Sequence, residues 1–184
     1  MEIKHISTPL TQEKLKDLKS GDSVLISGTM YTGRDAAHQR LVDAINNGEA
    51  LPFDPKDAII YYVGPAPTKP GNVIGSAGPT TSYRMDDLTV PLLELGLTGM
   101  IGKGLRSQTV IDSMKKNGAI YFAAIGGAGA LISNTIKECE IIAFEDLGPE
   151  AVRKLTVVDF PAVVVIDSEG NNLYETERKK YQKV

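Results

Sequence analysis

The sequence predicts a single α/β domain with a mixed sheet, from its length and from two alternating kinds of segment. Its 184 residues are enough to bury a sizeable core in one domain, and 42% of them are hydrophobic and 23% charged, as in ordinary globular proteins. Short apolar runs rich in β-branched and aromatic residues alternate with stretches of helical periodicity. Strands and helices interleaved in one compact unit are typical of the α/β class.

Five runs are predicted to be strands, because they are apolar and β-branched and end in glycine or polar residues. They cover residues 22–28, 57–64, 119–127, 139–145 and 162–171. The segment LTGMIGKG, residues 97–104, is a weaker sixth strand. The residues SEGNN near the end of the last run have the composition of a hairpin turn.

Three segments with apolar residues three or four positions apart are predicted to be helices, each ending at a glycine. They cover residues 34–48, 86–96 and 106–118. Ser107 is the expected N-cap of the third helix. Asp86 or Asp87 is expected to cap the second helix, in which Pro91 is compatible only with the first turn.

Composition excludes several functional classes. The 20 Lys and Arg residues against 23 Asp and Glu residues give a net charge of −3, without the excess of positive charge that nucleic-acid binding requires. The longest apolar stretch, residues 119–132, is too short and too glycine-rich to span a bilayer. The first 22 residues lack the apolar core of a signal peptide. We therefore expect a cytoplasmic protein that binds neither nucleic acid nor membrane.

The chain has one cysteine, Cys139, which lies between two glutamates that oppose thiolate formation. A single cysteine cannot form an internal disulfide, and it cannot by itself hold a zinc ion or an iron–sulfur cluster. We predict that Cys139 is a small, partly buried apolar residue and that this chain binds no metal.

The segment GTMYTGRDAAH combines a flexible backbone with a cation. Gly28 and Gly33 are predicted to bracket a loop after a strand, and Arg34 can bind a carboxylate beside the N–H groups of a helix start. The alternative is that Asp35 serves the helix dipole while Arg34 is solvated. His38 is predicted to be a packing or hydrogen-bonding residue rather than a metal ligand.

The proline- and glycine-rich loop of residues 61–81 leads into the second candidate segment, GPTTSYRMDD. A loop of this length is either disordered or functional, and its mixture of stiff and permissive residues favours a shaped loop. Thr80, Thr81 or Ser82 could cap a helix. Alternatively, Thr80 and Arg84 share one face of a first helical turn, where a cation and helix dipoles would stabilise a threonine alkoxide.

The third candidate segment is MIGKGLRS, in which Lys103 lies between two glycines at the end of a short strand. The glycines let the backbone approach a ligand closely, and the alternative is a turn with an exposed lysine. A further run, IGGAGALIS, lacks the G-x-G-x-x-G spacing because Gly126, Gly127 and Gly129 are too close together. It is predicted to be a close-packed turn from strand to helix rather than a nucleotide site.

Together these motifs resemble the C-terminal portion of class I fumarate hydratases, which is a separate beta subunit in two-component enzymes. SGTMYTGRDAAH, GPAP…IGSAGPTTSYRMD, GKG and AAIGGAGAL occur in that order, over about Gly21 to Asn172. The beta subunit of L(+)-tartrate dehydratase is also similar. The segment from Gly33 to His38 favours the fumarases, whereas Ser82 and Tyr83 depart from the Ala-Gly that is common in them.

The resemblance implies a swivelling β/β/α domain over residues 1–184, with residues 1–20 and 173–184 as extensions. It implies reversible hydration of fumarate to L-malate, a reaction of the tricarboxylic acid cycle, with a [4Fe–4S] cluster held by an iron–sulfur alpha subunit and not by this chain. This chain would be inactive alone, with an exposed apolar patch near the shared site. The alternative function is that of a non-catalytic assembly module. Whether the isolated chain forms a homodimer is left open by the sequence.

The resemblance also implies roles for six residues. Thr80 would take the proton from the malate carbon next to a carboxylate, and Asp35 and His38 would support the loop that carries the first arginine. Substrate binding is implied for Arg34, Arg84 and Lys103. These roles agree with the chemistry, since a dianion needs fixed countercharge and since negative charge grows on its carboxylate as the proton leaves.

Overall fold

The computed structural model describes residues 2–125 and 127–181. Over these residues the chain forms seven strands, six α-helices and two 3₁₀ helices. The strands are β1 (Ile3–Ser7), β2 (Ser23–Thr32), β3 (Ile59–Tyr61), β4 (Gly99–Gly102), β5 (Ile120–Ala123), β6 (Ile136–Ala143) and β7 (Val152–Ile166). The α-helices are α1 (Gln12–Leu15), α2 (Asp35–Asn47), α3 (Asp86–Glu94), α4 (Gln108–Asn117), α5 (Gly129–Thr135) and α6 (Leu173–Tyr181). The 3₁₀ helices cover Ser82–Met85 and Glu145–Glu150.

The sheet closes on itself. Strands β2, β3, β4 and β5 are parallel neighbours, and β7 is antiparallel to both β5 and β2, so these five strands form a closed, barrel-like ring. β1 pairs with the first half of β2, and β6 pairs with the first half of β7. The 15-residue β7 makes the closure, because it pairs with β2 along one edge and with β6 and then β5 along the other.

Alternating side chains of the barrel strands face two cores. Ile59, Tyr61 and Val63 belong to an inner core inside the ring. Ile60 and Tyr62 belong to an outer core, which helices α2, α3 and α4 cover. Because both faces of β3 are buried, its sequence is a continuous apolar run instead of an alternating one. Because α2 and α4 pack on this outer core, they anchor the loops that connect them to the ends of β2 and β4.

The predicted α/β class with a mixed sheet is confirmed, but the predicted end of the first strand at Gly28 is wrong. β2 continues to Thr32, and Gly28 (φ 118°) lies at a bulge within it instead of opening a loop. A Cβ at Gly28 would collide with Thr8 Oγ1, so the close approach of two backbones requires glycine there. After the bulge, β2 stays paired with β7 and continues as far as Thr32, next to Gly33.

The segment of residues 1–20, predicted as an extension, contributes to the core. It holds β1 and α1, and its apolar side chains Leu10, Leu15 and Leu18 are buried in the inner core. No helix of the described residues is long and apolar enough to cross a membrane.

Of the last predicted strand, residues 162–171, only residues 162–166 are strand. They form the end of β7, which begins at Val152. Buried and exposed positions alternate in the first half of this strand, so it lacks the continuous apolar run of its second half. The residues predicted as a hairpin turn do form a turn, closed by an antiparallel bridge between Ile166 and Asn172.

The helix boundaries are largely as predicted. Ser107 caps α4 by accepting from the Val110 N–H (3.4 Å), and Gly48 and Gly118 end α2 and α4 in the left-handed conformation.

Two expectations for α3 are wrong. Its N-cap is Met85 and no side chain caps it, because the preceding 3₁₀ helix runs directly into it and supplies backbone acceptors. Pro91 is the sixth residue of α3, beyond the first turn, so the helix tolerates one missing backbone hydrogen bond there.

Candidate active site

The predicted site segments meet at the carboxyl ends of neighbouring parallel strands. Arg34 lies two residues after β2, and Lys103 directly follows β4. Thr80 is bound to the end of β3, since its N–H donates to the carbonyl of Tyr62 (2.7 Å). Ligand crevices in parallel sheets form at this edge. The fold therefore brings three segments that are distant in sequence to one edge of the barrel.

Thr80 and Lys103 lie side by side. The Lys103 N–H donates to the Thr80 carbonyl (3.3 Å), and the Ser82 N–H donates to the Lys103 carbonyl (2.9 Å). Thr80 is partly buried and Lys103 is exposed. In the described part of the chain, neither the Thr80 hydroxyl nor the Lys103 ammonium has a hydrogen bond or an ion pair. Both groups are therefore available to a ligand.

The predicted placement of Thr80 and Arg84 on the first turn of a helix is wrong. The 3₁₀ helix begins at Ser82, and Thr81 is its N-cap with an extended backbone (φ −64°, ψ 119°), so Thr80 precedes the helix as part of a strand-like pairing. Helix capping does not explain the hydroxyls either. The Thr81 side chain makes no cap hydrogen bond, and the Ser82 hydroxyl bonds to the hydroxyl of Tyr121 (2.9 Å).

Asp35 joins the two predicted arginines. Arg84 Nη2 donates to Asp35 Oδ2, and Asp35 Oδ1 lies 3.8 Å from Arg34 Nε. Arg34 Nη2 lies 3.1 Å from Glu150 Oε1. The guanidinium of Arg34 also lies against Gly64, where a Cβ would come within 2.8 Å of Nη1. The four charged side chains thus form a chain of ion pairs at the start of α2.

Sequence reasoning missed Glu150. Its Oε2 accepts from the Ala36 N–H (3.1 Å), across 114 residues, while its Oε1 pairs with Arg34. A carboxylate there satisfies a free N–H of the first turn and interacts favourably with the helix dipole. One sequence signal does exist: the residue at the N-cap of α2 is Arg34, which cannot accept a hydrogen bond, so an acceptor must come from elsewhere.

His38 holds the backbone of Arg34. It is fully buried, its Nδ1 lies 2.9 Å from the Arg34 carbonyl, and its ring meets the Tyr62 ring edge-on at 5.2 Å. Burial lowers the pKa of His38 from 6.5 to about 4. The imidazole is therefore neutral at pH 7, with Nδ1–H donating to the carbonyl. The predicted packing and hydrogen-bonding role is confirmed.

We expect the domain to lose stability as the pH falls from 6.5 toward 4, because of His38. Its pKa of about 4 in the folded chain lies below the unfolded value of 6.5, so the unfolded chain binds a proton that the folded chain does not. The neutral His38 contributes about 3 kcal/mol to the free energy of unfolding. This contribution is complete above pH 6.5 and is lost as the pH falls through 4. Urea unfolding at several pH values measures it.

The matched control for this pH dependence is the exposed histidine, His5. His38→Gln should flatten the slope of unfolding free energy against pH between 6.5 and 4, whereas His5→Gln should leave the slope as in the wild type. Identical slopes in the wild type and His38→Gln would contradict the assignment.

Three buried polar atoms around the start of α2 have no hydrogen-bond partner within the described residues. They are Arg34 Nε, Asp35 Oδ1 and His38 Nε2. Buried polar groups without partners are rare and costly, so several in one place indicate a position where a ligand or water completes the bonding. Among the described residues, no carboxylate pairs with the Lys103 ammonium at this edge, and an unpaired cation favours an anionic ligand.

The glycine-rich run after β5 packs against the loop that precedes Thr80. A Cβ at Gly129 would come within 2.6 Å of Ser76 Oγ and 2.8 Å of the Gly78 nitrogen, and the Gly129 carbonyl accepts from the Ala77 N–H (3.1 Å). Gly126, which belongs to the same prediction, lies outside the described residues. The predicted close-packed turn from strand to helix agrees with these contacts.

The described residues contain no group of three or more His, Cys, Asp or Glu side chains placed to hold a metal ion. Cys139 is half-buried on β6 and packs against the inner core, as predicted, and burial raises the pKa of its thiol. The residues of this chain that the structure describes do not fit the ligand set of an iron–sulfur cluster.

Two exposed apolar side chains lie next to the predicted site residues in the sequence. Tyr83 is 66% exposed and Leu105 is 61% exposed, and they flank the Arg84 and Lys103 segments. Leu131, on α5, is 71% exposed, whereas Ile125 (65% exposed) lies elsewhere, beside Ile3 and Val24 at the beginning of β2. Large exposed apolar side chains near a site agree with the predicted apolar patch.

Comparison with known proteins gives matches along nearly the whole chain. The family model described as "Fumarase C-terminus" matches residues 2–177. A protein of Methanocaldococcus jannaschii with the provisional name L(+)-tartrate dehydratase subunit beta is 40% identical over an alignment of 182 positions, which covers 95% of this chain and 93% of that protein.

Two further relatives are named as fumarate hydratases. Fumarate hydratase 2 of Leishmania major is 42% identical over 166 residues, which are 89% of this chain and 29% of that protein. The aerobic class I fumarate hydratase of Escherichia coli K12 is 43% identical over 152 residues, which are 82% of this chain and 28% of that protein. The chain thus spans less than a third of these fumarate hydratases but nearly all of the relative named as a subunit.

Proposed function

We propose that this chain, which belongs to the Fumarase C-terminus family, is the beta subunit of a hydro-lyase that interconverts fumarate and L-malate. The observation that carries the proposal is that the Thr80 and Lys103 segments, whose hydroxyl and ammonium have no partner among the described residues, follow neighbouring parallel strands at the same edge as the Arg34 segment. Relatives named as fumarate hydratases and as a tartrate dehydratase subunit support the hydro-lyase class.

Substrate binding is the first task of the site. Fumarate and L-malate are dianions, and Arg34, Arg84 and Lys103 supply the fixed countercharge. Guanidinium groups bind carboxylates through two parallel hydrogen bonds, which orient the substrate as well as hold it. Asp35 and Glu150 hold the arginines in place through the ion pairs described above.

Proton transfer is the second task. In the malate-to-fumarate direction, Thr80 as its alkoxide takes a proton from the carbon next to one carboxylate, the C–H electron pair becomes the second bond of the alkene, and hydroxide leaves the neighbouring carbon. The proton and the hydroxide together are the water that is lost. As the proton leaves, negative charge grows on the adjacent carboxylate, where fixed cations stabilise it more than in the ground state.

The remaining part of the site is assigned to a partner alpha subunit that carries a [4Fe–4S] cluster. The match to nearly all of a protein named subunit beta, and to less than a third of single-chain fumarate hydratases, supports a second component. The described residues of this chain hold no ligand set for the cluster.

Mixing this chain anaerobically with the iron–sulfur partner, and following the absorbance of fumarate, tests the proposal. We expect no turnover by this chain alone and turnover by the mixture. Arg34→Met in the mixture should lower kcat/KM by about 100-fold, because the substrate loses a bidentate anchor. Lys116→Met, at the end of α4 just before β5 and so at the opposite edge of the sheet, is the matched loss of a positive charge and should leave kcat/KM unchanged.

A second candidate is the beta subunit of an L(+)-tartrate dehydratase. The relative with that provisional name supports it, since this chain covers 93% of that protein. Assay of the assembled enzyme with fumarate, mesaconate and both tartrates separates the two, and a higher kcat/KM for a tartrate than for L-malate would reverse the choice. A third candidate, a non-catalytic assembly module, predicts that Arg34→Met and Arg84→Met leave turnover by the partner untouched.

A further inference from the structure

One buried tyrosine lies beneath both the Thr80 segment and the Lys103 segment. Tyr121, on β5, is fully buried. Its hydroxyl oxygen lies 2.9 Å from Ser82 Oγ and 2.9 Å from the carbonyl oxygen of Gly104. Ser82 is two residues after Thr80, and Gly104 directly follows Lys103. The phenol therefore adds a side-chain bridge between the two loops that carry the proposed base and the proposed lysine, beside the two backbone hydrogen bonds that pair them.

The directions of these two hydrogen bonds follow from the groups involved. A carbonyl can only accept, so the Tyr121 hydroxyl donates its one proton to Gly104. The oxygen of Tyr121 is then free to accept, and the Ser82 hydroxyl donates to it. Burial raises the pKa of Tyr121, so the phenol keeps its proton at every physiological pH. The result is an ordered pair of bonds that runs from Ser82 through Tyr121 to Gly104.

The surrounding structure holds this link rigidly. A Cβ at Gly102 would collide with Ser82 Oγ, so the serine hydroxyl fits only because that strand residue is glycine. The guanidinium of the buried Arg106 lies over the Tyr121 ring, 5.2 Å from its centroid, and fixes the ring from one face. The link thus has little freedom to adjust if either loop moves.

We propose that Tyr121 is a positioning residue, which sets the placement of Thr80 relative to Lys103 through Ser82 and Gly104. Tyr121 lies in the outer core and does not reach the substrate, so it acts only through the two loops. The kinetic consequence rests on the function proposed above, whereas the structural coupling does not. Misplacement of a reacting group by about 1 Å costs about 100-fold in rate, so a loosened link has a measurable effect.

Tyr121→Phe tests the link, since it keeps the ring and removes only the hydroxyl. In the assembled enzyme we expect kcat to fall by at least about tenfold, with KM within about threefold of the wild type, because the proton acceptor and not the binding of the dianion is displaced. Ser82→Ala removes one of the two bonds and should give a smaller loss. The double variant should be no slower than Tyr121→Phe, since both changes break one shared link.

Tyr31→Phe is the matched control. Tyr31 stacks on Phe53 at 4.1 Å, and in the described part of the chain its hydroxyl has no hydrogen bond. This variant should keep the wild-type kcat. A loss in Tyr121→Phe of less than tenfold, or a double variant whose losses multiply, overturns the proposal.

A measurement without substrate separates this inference from the proposed function. In the isolated, isotopically labelled chain, Tyr121→Phe and Ser82→Ala should shift the NMR signals of the Thr80 methyl and of the Lys103 and Gly104 amides, and Tyr31→Phe should not. If the wild-type assembly turns over neither fumarate nor tartrate, the proposed function fails while these shifts still support the coupling. Unshifted Thr80 and Lys103 signals in folded Tyr121→Phe would refute the structural coupling. If Tyr121→Phe does not fold, the same signals are compared between Ser82→Ala and the wild type.

Discussion

Replacing Thr80 with valine is expected to lower kcat for malate dehydration by at least about 100-fold, the lower end of the range for a positioned general base. Valine has nearly the shape of threonine and removes only the hydroxyl. The backbone N–H and carbonyl of Thr80 are held by Tyr62 and Lys103, so the segment keeps its conformation. Because the cations that bind the carboxylates are unchanged, KM should change far less than kcat.

Thr81→Val is the matched control for this experiment. Thr81 is the next hydroxyl along the chain, and its side chain makes no cap hydrogen bond. We expect nearly wild-type kcat for Thr81→Val, measured beside Thr80→Val in the same assembled enzyme. A primary isotope effect on malate deuterated at the reacting carbon reports whether proton removal limits the rate. A loss of less than about tenfold in Thr80→Val removes Thr80 from the role of base.

Replacing Arg106 with methionine is expected to destabilise the domain by about 3–5 kcal/mol, the usual cost of leaving one charge of a buried pair alone. The side chain of Arg106 is fully buried, and its Nε lies 2.6 Å from Asp86 Oδ1. Its Nη2 donates to Thr89 Oγ1 (3.0 Å). Methionine fills most of the space but leaves the carboxylate of Asp86 with only the Ser107 N–H as a partner (2.5 Å). Urea unfolding at pH 7.5 measures the loss.

Arg40→Met provides the control, since Arg40 also pairs with an aspartate through two bonds, to Asp146 at 2.8 Å and 2.5 Å. That pair is exposed to solvent, which screens it, so Arg40→Met should cost far less stability. Adding Asp86→Asn to Arg106→Met should recover part of the loss by removing the unpaired charge. Equal losses in Arg40→Met and Arg106→Met would show that burial does not govern the energy of these pairs.

Sequence reasoning was accurate where a feature depends on neighbours in the chain. The cap of α4 at Ser107 and its end at Gly118 need only local hydrogen bonds and backbone conformation, and both are confirmed. The candidate site residues were selected on the same local basis and stay predictions, because a lysine between two glycines or an arginine at a helix start can be recognised from a few residues. Their arrangement could not be predicted, since the pairing of Thr80 with Lys103 joins separate parts of the chain.

The sequence could not reveal which polar residues are buried. Asp86 and Arg106 resemble a capping residue and a surface cation, yet they form one buried pair, and the guanidinium lies against the buried rings of Tyr62 and Tyr121. Glu150 was missed because its backbone partner, Ala36, lies 114 residues earlier in the chain. The first half of β7 was missed because one of its faces is exposed, so it lacks an apolar run.

The closing strand β7 has a consequence for the synthesis of this protein. β2 pairs along its length with β7, with Val24 opposite Ala162, so the ring cannot close until β7 has left the ribosome. Until then β2 and β5 each present an unpaired edge, to which other unfolded chains can bind. An open ring therefore exists in the interval between the synthesis of β5 and that of β7, and aggregation is most favoured during that interval.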